Sequence, residues 1–520
     1  MNPAAFRVAV GLYVAILVGL IAAYISVSLV NVQVAAYIQG PQALIQGGPN
    51  AIRGFIMNAP TGQLFTGAET RFVLNPGPGQ LIAGTGETQK HGYVHTTLDV
   101  STVQAGPHKL EVDAKHPLID EFVASTSVTV VPEPTTRPWE IATSRQSRGP
   151  EVLSKEKSSD WKGDLTVEPI GPNRELARGL KNLVTLRVVD GEGLPVQAKV
   201  TFIKLEGPTE GELPKELTTD EFGLATLQAQ PIDSMRWTLR ADEVAEPHRS
   251  GEGSILFSSV ASQFSLEMVK NFLAPGESVE GKVTTLHRSG GLMVDLYGGQ
   301  RWVFADAYGI TPNGAGLRVE APTSVKPKLW RVQVYDDVFS PGNAWDAQWL
   351  AVSTDGTCRS AIDPTLTLLA ATPRHARFVE GVRKVMVAGK PLSEIQCNDL
   401  LGALLRGFPP HFDEPTLLVN SKAGEEQDLE IWKEQVKRWL HVLIAIALLV
   451  AFSVVMVFVA QGVATSQRQQ RAIELADLET DGDGFDTSKW DRIAHVGRAV
   501  LFIGTIFLFG AGLLMVLTFM

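Results

Sequence analysis

Cysteine, basic charge and catalytic signatures are all scarce in this chain. Only two cysteines occur in 520 residues, and 46 Lys and Arg residues are outnumbered by 56 Asp and Glu residues, which gives a formal net charge of -10. A chain without a basic stripe is a poor candidate for binding nucleic acid. The sequence also lacks the nucleophile-elbow, zinc-protease, phosphate-loop and dinucleotide-binding motifs. We therefore expect that the protein is not an enzyme, that it binds no cofactor, and that it has no catalytic or metal-ligating residues.

Three long apolar segments stand out against this background. They lie at 8–30, 440–460 and 499–520, and at about 1.5 Å per residue each is long enough to cross a hydrocarbon core of about 30 Å. Each is predicted to be a transmembrane helix. The first is an alternative candidate for a cleaved signal peptide, but its apolar run exceeds the usual signal-peptide core of about 7–15 residues, which favours an uncleaved anchor.

The Lys and Arg residues near the spans predict an orientation. Arg7 precedes the first span and no further Lys or Arg occurs until Arg53, so the N-terminus is expected in the cytoplasm and residues 31–439 outside. The loop 461–498 is expected to return to the cytoplasm. The prediction is an integral plasma (inner) membrane protein with a large periplasmic or extracellular domain.

The first span carries a stripe of small residues, namely Gly11, Ala15, Gly19 and Ala23. Small side chains every four residues allow a second helix to approach closely. That helix could be another span of this chain or a span of another subunit, in a homo- or hetero-oligomer. The oligomeric state is left open.

The two cysteines, Cys358 and Cys397, both lie in the predicted outer region. An oxidising compartment favours disulfides, so a bridge between them is predicted. Two buried free thiols are the alternative.

A turn and two strands are clearest between Thr218 and Asp242. Asp220 and Gly223 are typical turn residues, and Trp237, Leu239 and Ala241 alternate with polar residues as in a half-buried strand. Weaker copies of this pattern lie on both sides of it. The sequence therefore predicts a mainly β protein.

The copies divide the outer region into three predicted β-sandwiches, at 53–131, 165–261 and 263–353. Gly67, Gly179 and Gly276 each precede a strand, and they recur at intervals of about 100 residues, the size of one sandwich.

The segments between the sandwiches and the spans have different compositions. Residues 31–52 are free of charge and are predicted to be a spacer, and 132–162 is a proline-rich, charged linker. Residues 362–425 show helical periodicity, with Ser393 as a predicted N-cap. The first helix of this α-rich juxtamembrane region is basic, which suggests either a docking face or, as we favour, a solvated surface. Its basic residues are Arg374, Arg377, Arg383 and Lys384.

The array resembles the immunoglobulin-like domains of the alpha-2-macroglobulin family. The resemblance is carried by Pro275–Val279 entering a strand, and by Thr219–Ala225 before Trp237. It covers roughly residues 53–353. The reactive thioester of the protease-trapping members, of the type Cys-Gly-Glu-Gln, is missing, because the cysteines here lie in Thr357-Cys-Arg-Ser and Gln396-Cys-Asn-Asp. The resemblance thus implies the architecture and not the trapping activity.

Two interpretations of function follow. In the first, three immunoglobulin-like domains on a three-helix anchor reach outward and contact a protein or envelope polymer. In the second, the chain is an accessory subunit of a membrane complex, recruited through its spans and its acidic loop. That loop contains Glu479–Asp483, which resembles half of an EF-hand but lacks the bidentate Glu, so divalent-ion binding there is left open.

Overall fold

The computed structural model describes residues 3–31, 34–75, 81–88, 92–117, 119–134, 161–171, 174–260, 264–336 and 345–477. The chain divides into two compact units, one from Met1–Val32 with Ala423–Met520 and the other from Gln33–Lys422. The predicted third span at 499–520, the Glu479–Asp483 loop and most of the linker lie outside the described residues.

Two helices dominate the first unit, α1 (Pro3–Ser28) and α5 (Ser421–Asp477). Within the described residues these are the helices long and apolar enough to cross a membrane, with candidate spans at Gly11–Ser28 and Glu425–Gln469. They pack through a small apolar cluster that includes Tyr24, Leu440 and Ile444. A two-helix arrangement is therefore described here, and the predicted three-helix anchor is not confirmed.

The first β-sandwich, sandwich 1, begins earlier in the chain than predicted. It contains β1 (Val34–Gly40), β2 (Leu44–Ile45), β3 (Pro49–Asn58), β4 (Glu69–Leu74), β5 (Leu81–Glu87), β6 (Tyr93–Asp99), β7 (Gly106–His116) and β8 (Ile119–Val131). The prediction that 31–52 is a spacer was wrong. This stretch lacks charge because β1 is buried almost throughout, and a strand covered on both faces has no position for a solvated side chain.

Sandwich 2 follows the linker. It contains β9 (Lys162–Gly163), β10 (Leu165–Pro169), β11 (Glu175–Ala177), β12 (Asn182–Asp190), β13 (Ala198–Glu206), β14 (Glu216–Thr218), β15 (Leu224–Ala229), β16 (Met235–Glu243) and β17 (Ser250–Val260). Trp237, Leu239 and Ala241 point into its core, as the alternation predicts. Asp220 accepts hydrogen bonds from the backbone N–H groups of Phe222 and Leu224 and closes the turn before β15.

Sandwich 3 repeats the pattern. It contains β18 (Phe264–Met268), β19 (Phe272–Leu273), β20 (Ser278–Thr285), β21 (Gly290–Gly298), β22 (Arg301–Ile310), β23 (Ala315–Glu320), β24 (Leu329–Tyr335) and β25 (Trp345–Val352).

The three sandwiches share one strand topology. In sandwich 1 the two sheets have the strand orders β1-β3-β6 and β2-β8-β7-β4-β5. In sandwich 2 the corresponding orders are β10-β12-β15 and β11-β17-β16-β13-β14. In sandwich 3 they are β18-β20-β23 and β19-β25-β24-β21-β22. In each, one short strand, β2, β11 or β19, runs parallel to the last strand of its sandwich. Two packed, mainly antiparallel sheets of this kind are immunoglobulin-like. The predicted immunoglobulin-like β-sandwich fold is confirmed.

One detail of the repeat was assigned wrongly. Gly179 and Gly276 precede the equivalent strands β12 and β20, with φ angles of 73° and 82°, and the matching glycine of sandwich 1 is Gly47, which precedes β3 with φ 89°. Gly67 instead precedes β4, the fourth strand. The error followed from missing β1 and β2.

Helices α2 (Cys358–Ala370), α3 (Ala376–Ala388) and α4 (Glu394–Leu405) follow sandwich 3, and a 3₁₀ turn, Pro373–His375, separates α2 from α3. Ser393 caps α4 in a capping box with Gln396, as predicted. One apolar core joins these helices to both neighbouring sandwiches and contains Phe222 of sandwich 2, Trp349 of sandwich 3 and Leu401 of α4. The helices thus fasten sandwich 2 to sandwich 3.

A last strand, β26 (Thr416–Asn420), returns to sandwich 1 and extends its first sheet to β26-β1-β3-β6. It pairs antiparallel with β1, so that Tyr37 lies opposite Asn420. The second unit therefore begins and ends in two neighbouring strands.

Candidate functional site

The predicted disulfide is present between Cys358 and Cys397, with a Cα–Cα distance of 6.0 Å. Cys358 begins α2 and Cys397 lies in the first turns of α4. Both are buried in the core that joins sandwiches 2 and 3. We call the group of helices α2, α3 and α4, which shares this core with the two sandwiches, the helical wedge. The bridge therefore ties α2 to α4 within the wedge.

The small-residue stripe of α1 is not used in packing against α5. Gly11, Ala15, Gly19 and Ala23 are exposed, and a Cβ added at either glycine would meet nothing within 4 Å among the described atoms. The side of α1 that faces α5 carries Tyr24 instead.

The basic residues of the juxtamembrane helices are largely paired with acidic ones. Glu380 binds both Arg377 and Lys384 within α3. Nη2 of Arg383 lies 3.4 Å from Oδ1 of Asp363 in α2. Arg374 forms an ion pair with Glu168 of sandwich 2. This pairing supports the solvated-surface interpretation of the segment.

The most concentrated polar chemistry in the described residues lies where sandwich 1 meets sandwich 3. We call this contact the joint and define it by Arg53 and His95 of sandwich 1, Asp295, Arg331, Gln333 and Tyr335 of sandwich 3, and Asp413 of the segment before β26. Strands β3 and β6 of sandwich 1 pack on β22 and its neighbours in the β19-β25-β24-β21-β22 sheet. Strands that look half-exposed in sequence are therefore buried on both sides.

Arg53 is at the centre of the joint and is fully buried. Its Nη2 donates to Asp295 Oδ1 at 2.7 Å and to the carbonyl oxygen of Asp306 at 3.3 Å, and its Nη1 donates to Tyr335 Oη at 2.5 Å. Burial opposes the charge on Arg53, but Tyr335 and Asp295 outweigh burial and raise its pKa. For Asp295, burial is the larger effect and raises the pKa despite Arg53.

A second branch of the joint is built around Gln333. Its Nε2 donates to Asp295 Oδ2 at 3.2 Å and to the carbonyl oxygen of Asp413 at 2.8 Å, while its Oε1 accepts from the Asp413 N–H at 3.1 Å. Arg331 donates to the Asp413 carboxylate and stacks on Tyr297, with its guanidinium 4.4 Å from the ring centroid. Gln333 thus connects Asp295, the partner of Arg53, to the segment before β26.

Several buried polar atoms in the joint have no hydrogen-bond partner among the described residues. They are both ring nitrogens of His95, Nε of Arg53, and Nε and Nη1 of Arg331. Burial, and then the charge of Arg53, hold the pKa of His95 well below its ordinary value, so the ring is neutral. An unsatisfied buried polar group costs about 1–3 kcal/mol, and desolvation offsets much of the gain from a buried ion pair. The polar contacts of the joint therefore fix how the two sandwiches fit together but add little to the stability of that contact.

A second polar cluster fastens the helical wedge to sandwich 2. Arg187 donates to Glu168 Oε1 at 2.6 Å and to His375 Nδ1 at 2.8 Å, and Arg374 binds the other oxygen of Glu168 at 3.1 Å. Burial, and then Arg187 and Arg374, lower the pKa of His375 to about 4. The neutral ring accepts from Arg187, which a protonated ring cannot do.

Two surface clefts complete the candidates. A cleft of about 650 Å³ is lined by Lys326 and Lys328 of sandwich 3 and by Asp363 and Thr367 of α2, and one of about 480 Å³ runs along α3. Within the described part of the chain, no three His, Cys, Asp or Glu side chains are placed to hold a metal ion.

The joint was missed in the sequence, although a signal was present. β24 reads Leu-Trp-Arg-Val-Gln-Val-Tyr, and its polar side carries an Arg, a Gln and a Tyr where a solvated strand usually carries Lys, Glu and Ser. Arg and aromatic side chains are typical of buried interfaces. Nothing local identifies Arg53 as the partner of Asp295.

No protein-family model matches the chain, and no curated protein matches it. Among solved structures, a mutant Salmonella alpha-2-macroglobulin is 10% identical over 62% of this chain and 23% of its own, with a TM-score of 0.16. A tetra-tandem repeat from the extending region of a large adhesion protein is 13% identical over 61% and 74%, with a TM-score of 0.16. The D0-D1 domain of Intimin is 16% identical over 43% and 99%, with a TM-score of 0.15. The chain spans less than a quarter of that macroglobulin, and these are likenesses of β-sandwich architecture alone.

Proposed function

We propose that this chain is an integral membrane protein that holds immunoglobulin-like domains outside the membrane as a non-enzymatic structural or binding module. Its partner is a protein or an envelope polymer. One observation carries the proposal: the domain unit begins and ends in the paired strands β1 and β26. Each strand is next in sequence to one of the two apolar helices.

The pairing of β1 with β26 suits an anchored module. The two strands are antiparallel, so Val34 and Asn420 lie at the same end of one sheet, and both chain connections leave the unit from that end. The opposite edges and loops of the sandwiches are then free for contacts. A disulfide between Cys358 and Cys397 agrees with an oxidising compartment.

The mode of presentation differs from the extended array that the sequence suggested. Sandwich 1 packs against sandwich 3 through the joint, and the helical wedge fastens sandwich 2 to sandwich 3. We therefore expect the partner to be bound by surface loops and sheet edges of one compact unit, and not by three domains that extend one after another from the membrane. Because Arg53 and Asp295 are fully buried and paired with each other, we assign them a structural and not a catalytic role.

Cysteine labelling in intact cells tests the topology. With a membrane-impermeant maleimide, Ser144→Cys in the linker should react before the cells are opened. Ser466→Cys, beyond the second predicted span, should react only afterwards. Reaction of Ser144→Cys only in opened cells would reject the outside location and with it the proposed function.

The alternative is an accessory subunit recruited through its helices, with the loop 461–498 in the cytoplasm. The exposed Gly11 and Gly19 on α1 favour it, because small residues permit close helix contact. To separate the two, residues 34–420 would be replaced by a flexible linker and partners captured in mild detergent. Partners that remain, and are lost with Gly11→Leu and Gly19→Leu, support the accessory subunit; partners lost with the domains support the first proposal.

A further inference from the structure

The boundary between sandwich 1 and sandwich 3 differs in kind from the boundary between sandwiches 2 and 3. Sandwiches 2 and 3 share one apolar core with the helical wedge. At the joint, apolar contacts form two separate small clusters, one around Phe55 and Met293 and one around Ala51 and Trp302. The ion pair of Arg53 and Asp295 lies at its centre.

The polar part of the joint is incompletely satisfied. Among the described residues, the two ring nitrogens of His95 and three guanidinium nitrogens of Arg53 and Arg331 are buried without partners. When the two sheets separate, these atoms and the ion pair all regain water. Rehydration of these polar atoms therefore offsets part of the free energy needed to separate the sheets, which would not happen at a purely apolar contact.

We propose that the joint is a releasable contact, and that the native protein opens there while its three sandwiches remain folded. No strand pairing crosses the joint in the described residues, since sandwich 1 and sandwich 3 have separate sheets. Opening thus breaks no backbone ladder. This inference does not depend on the proposed function.

Thiol reactivity in the full-length protein tests the proposal. Ala51 on the joint and Ala198 in the core of sandwich 2 are both 0% exposed, and the native cysteines are bridged, so Ala51→Cys and Ala198→Cys are matched reporters. If the joint opens by itself, the thiol of Ala51→Cys should react at least about 10-fold faster under native conditions, because local opening requires less free energy than global unfolding.

A second experiment weakens the joint by a substitution in sandwich 3, opposite the Ala51 reporter in sandwich 1. Asp295→Asn should accelerate labelling of Ala51→Cys by about 10-fold and leave Ala198→Cys within about twofold, since only the local opening becomes easier. Equal labelling rates at the two positions, or acceleration of both by Asp295→Asn, would overturn the proposal. If Ala51→Cys does not fold, Ala305→Cys on the facing strand reports on the same cluster.

Discussion

At the scale of single residues, two of the buried guanidinium groups that the structure describes connect one domain to its neighbour. Arg53 binds Asp295 across the joint, and Arg187 binds His375 across the contact between sandwich 2 and the wedge. Each guanidinium also lies near an aromatic ring, Arg53 above Trp302 and Arg187 above Phe378. The planar cation thus bridges two surfaces that no shared sheet connects.

Arg53→Met should destabilise the protein by about 3–5 kcal/mol, because it leaves the Asp295 carboxylate buried without its counter-charge. The double variant with Asp295→Asn should recover at least about 1 kcal/mol of that loss, since no unpaired charge remains. Denaturant unfolding of the full chain measures both.

The exposed pair of Lys199 and Glu216 provides the control. Both side chains are about half exposed, so Lys199→Met should change stability by less than about 0.5 kcal/mol. Losses of equal size at Arg53 and Lys199 would contradict the role given to the buried pair.

His375 gives the protein a dependence on pH whose sign follows from its pKa of about 4. The pKa in the folded state lies below the unfolded value of about 6.5. The neutral ring therefore contributes stability that is present above pH 6.5 and is lost as the pH falls toward 4. Between pH 7.5 and 5, His375→Asn should remove about 1–2 kcal/mol of the acid-induced loss. Melting curves at the two pH values measure it, and an unchanged pH dependence in the variant would refute the assignment.

At the scale of elements, the helical wedge depends on a single covalent cross-link. The disulfide joins α2 to α4 across a sequence separation of 39 residues, with Pro373–His375 and α3 between them. This closed segment contains Arg374 and His375, which contact Glu168 and Arg187 of sandwich 2.

Replacing both cysteines by alanine should cost about 2–4 kcal/mol, because the open segment of the unfolded chain regains conformational entropy. Thermal unfolding in a fixed detergent measures the loss. A reducing agent should lower the melting temperature of the native protein to that of the variant and leave the variant unchanged. A native protein that stays insensitive to complete reduction would contradict this role.

At the scale of the whole molecule, alternation and turn chemistry were enough to predict three immunoglobulin-like sandwiches. Composition alone was enough to predict the two apolar helices that the structure describes. Strands β1 and β2 were missed because they are buried on both faces and lack the alternation that a half-exposed strand shows. The joint was missed because Arg53 and Asp295 are partners only through tertiary packing. Local pattern determines which segments become strands, and it carries no information about which outer faces meet.

The pairing of β1 with β26 has a consequence for biosynthesis. β1 is synthesised before the other strands described here. Its edge partner follows more than 380 residues later, since Asn420 lies opposite Tyr37. At about 5–20 residues per second, that edge stays uncovered for about 20–80 s in every new molecule. An unpaired strand edge invites the wrong partner. Incorrect pairing at the edge of β1 is therefore a hazard of synthesis that ends when β26 adds to the sheet.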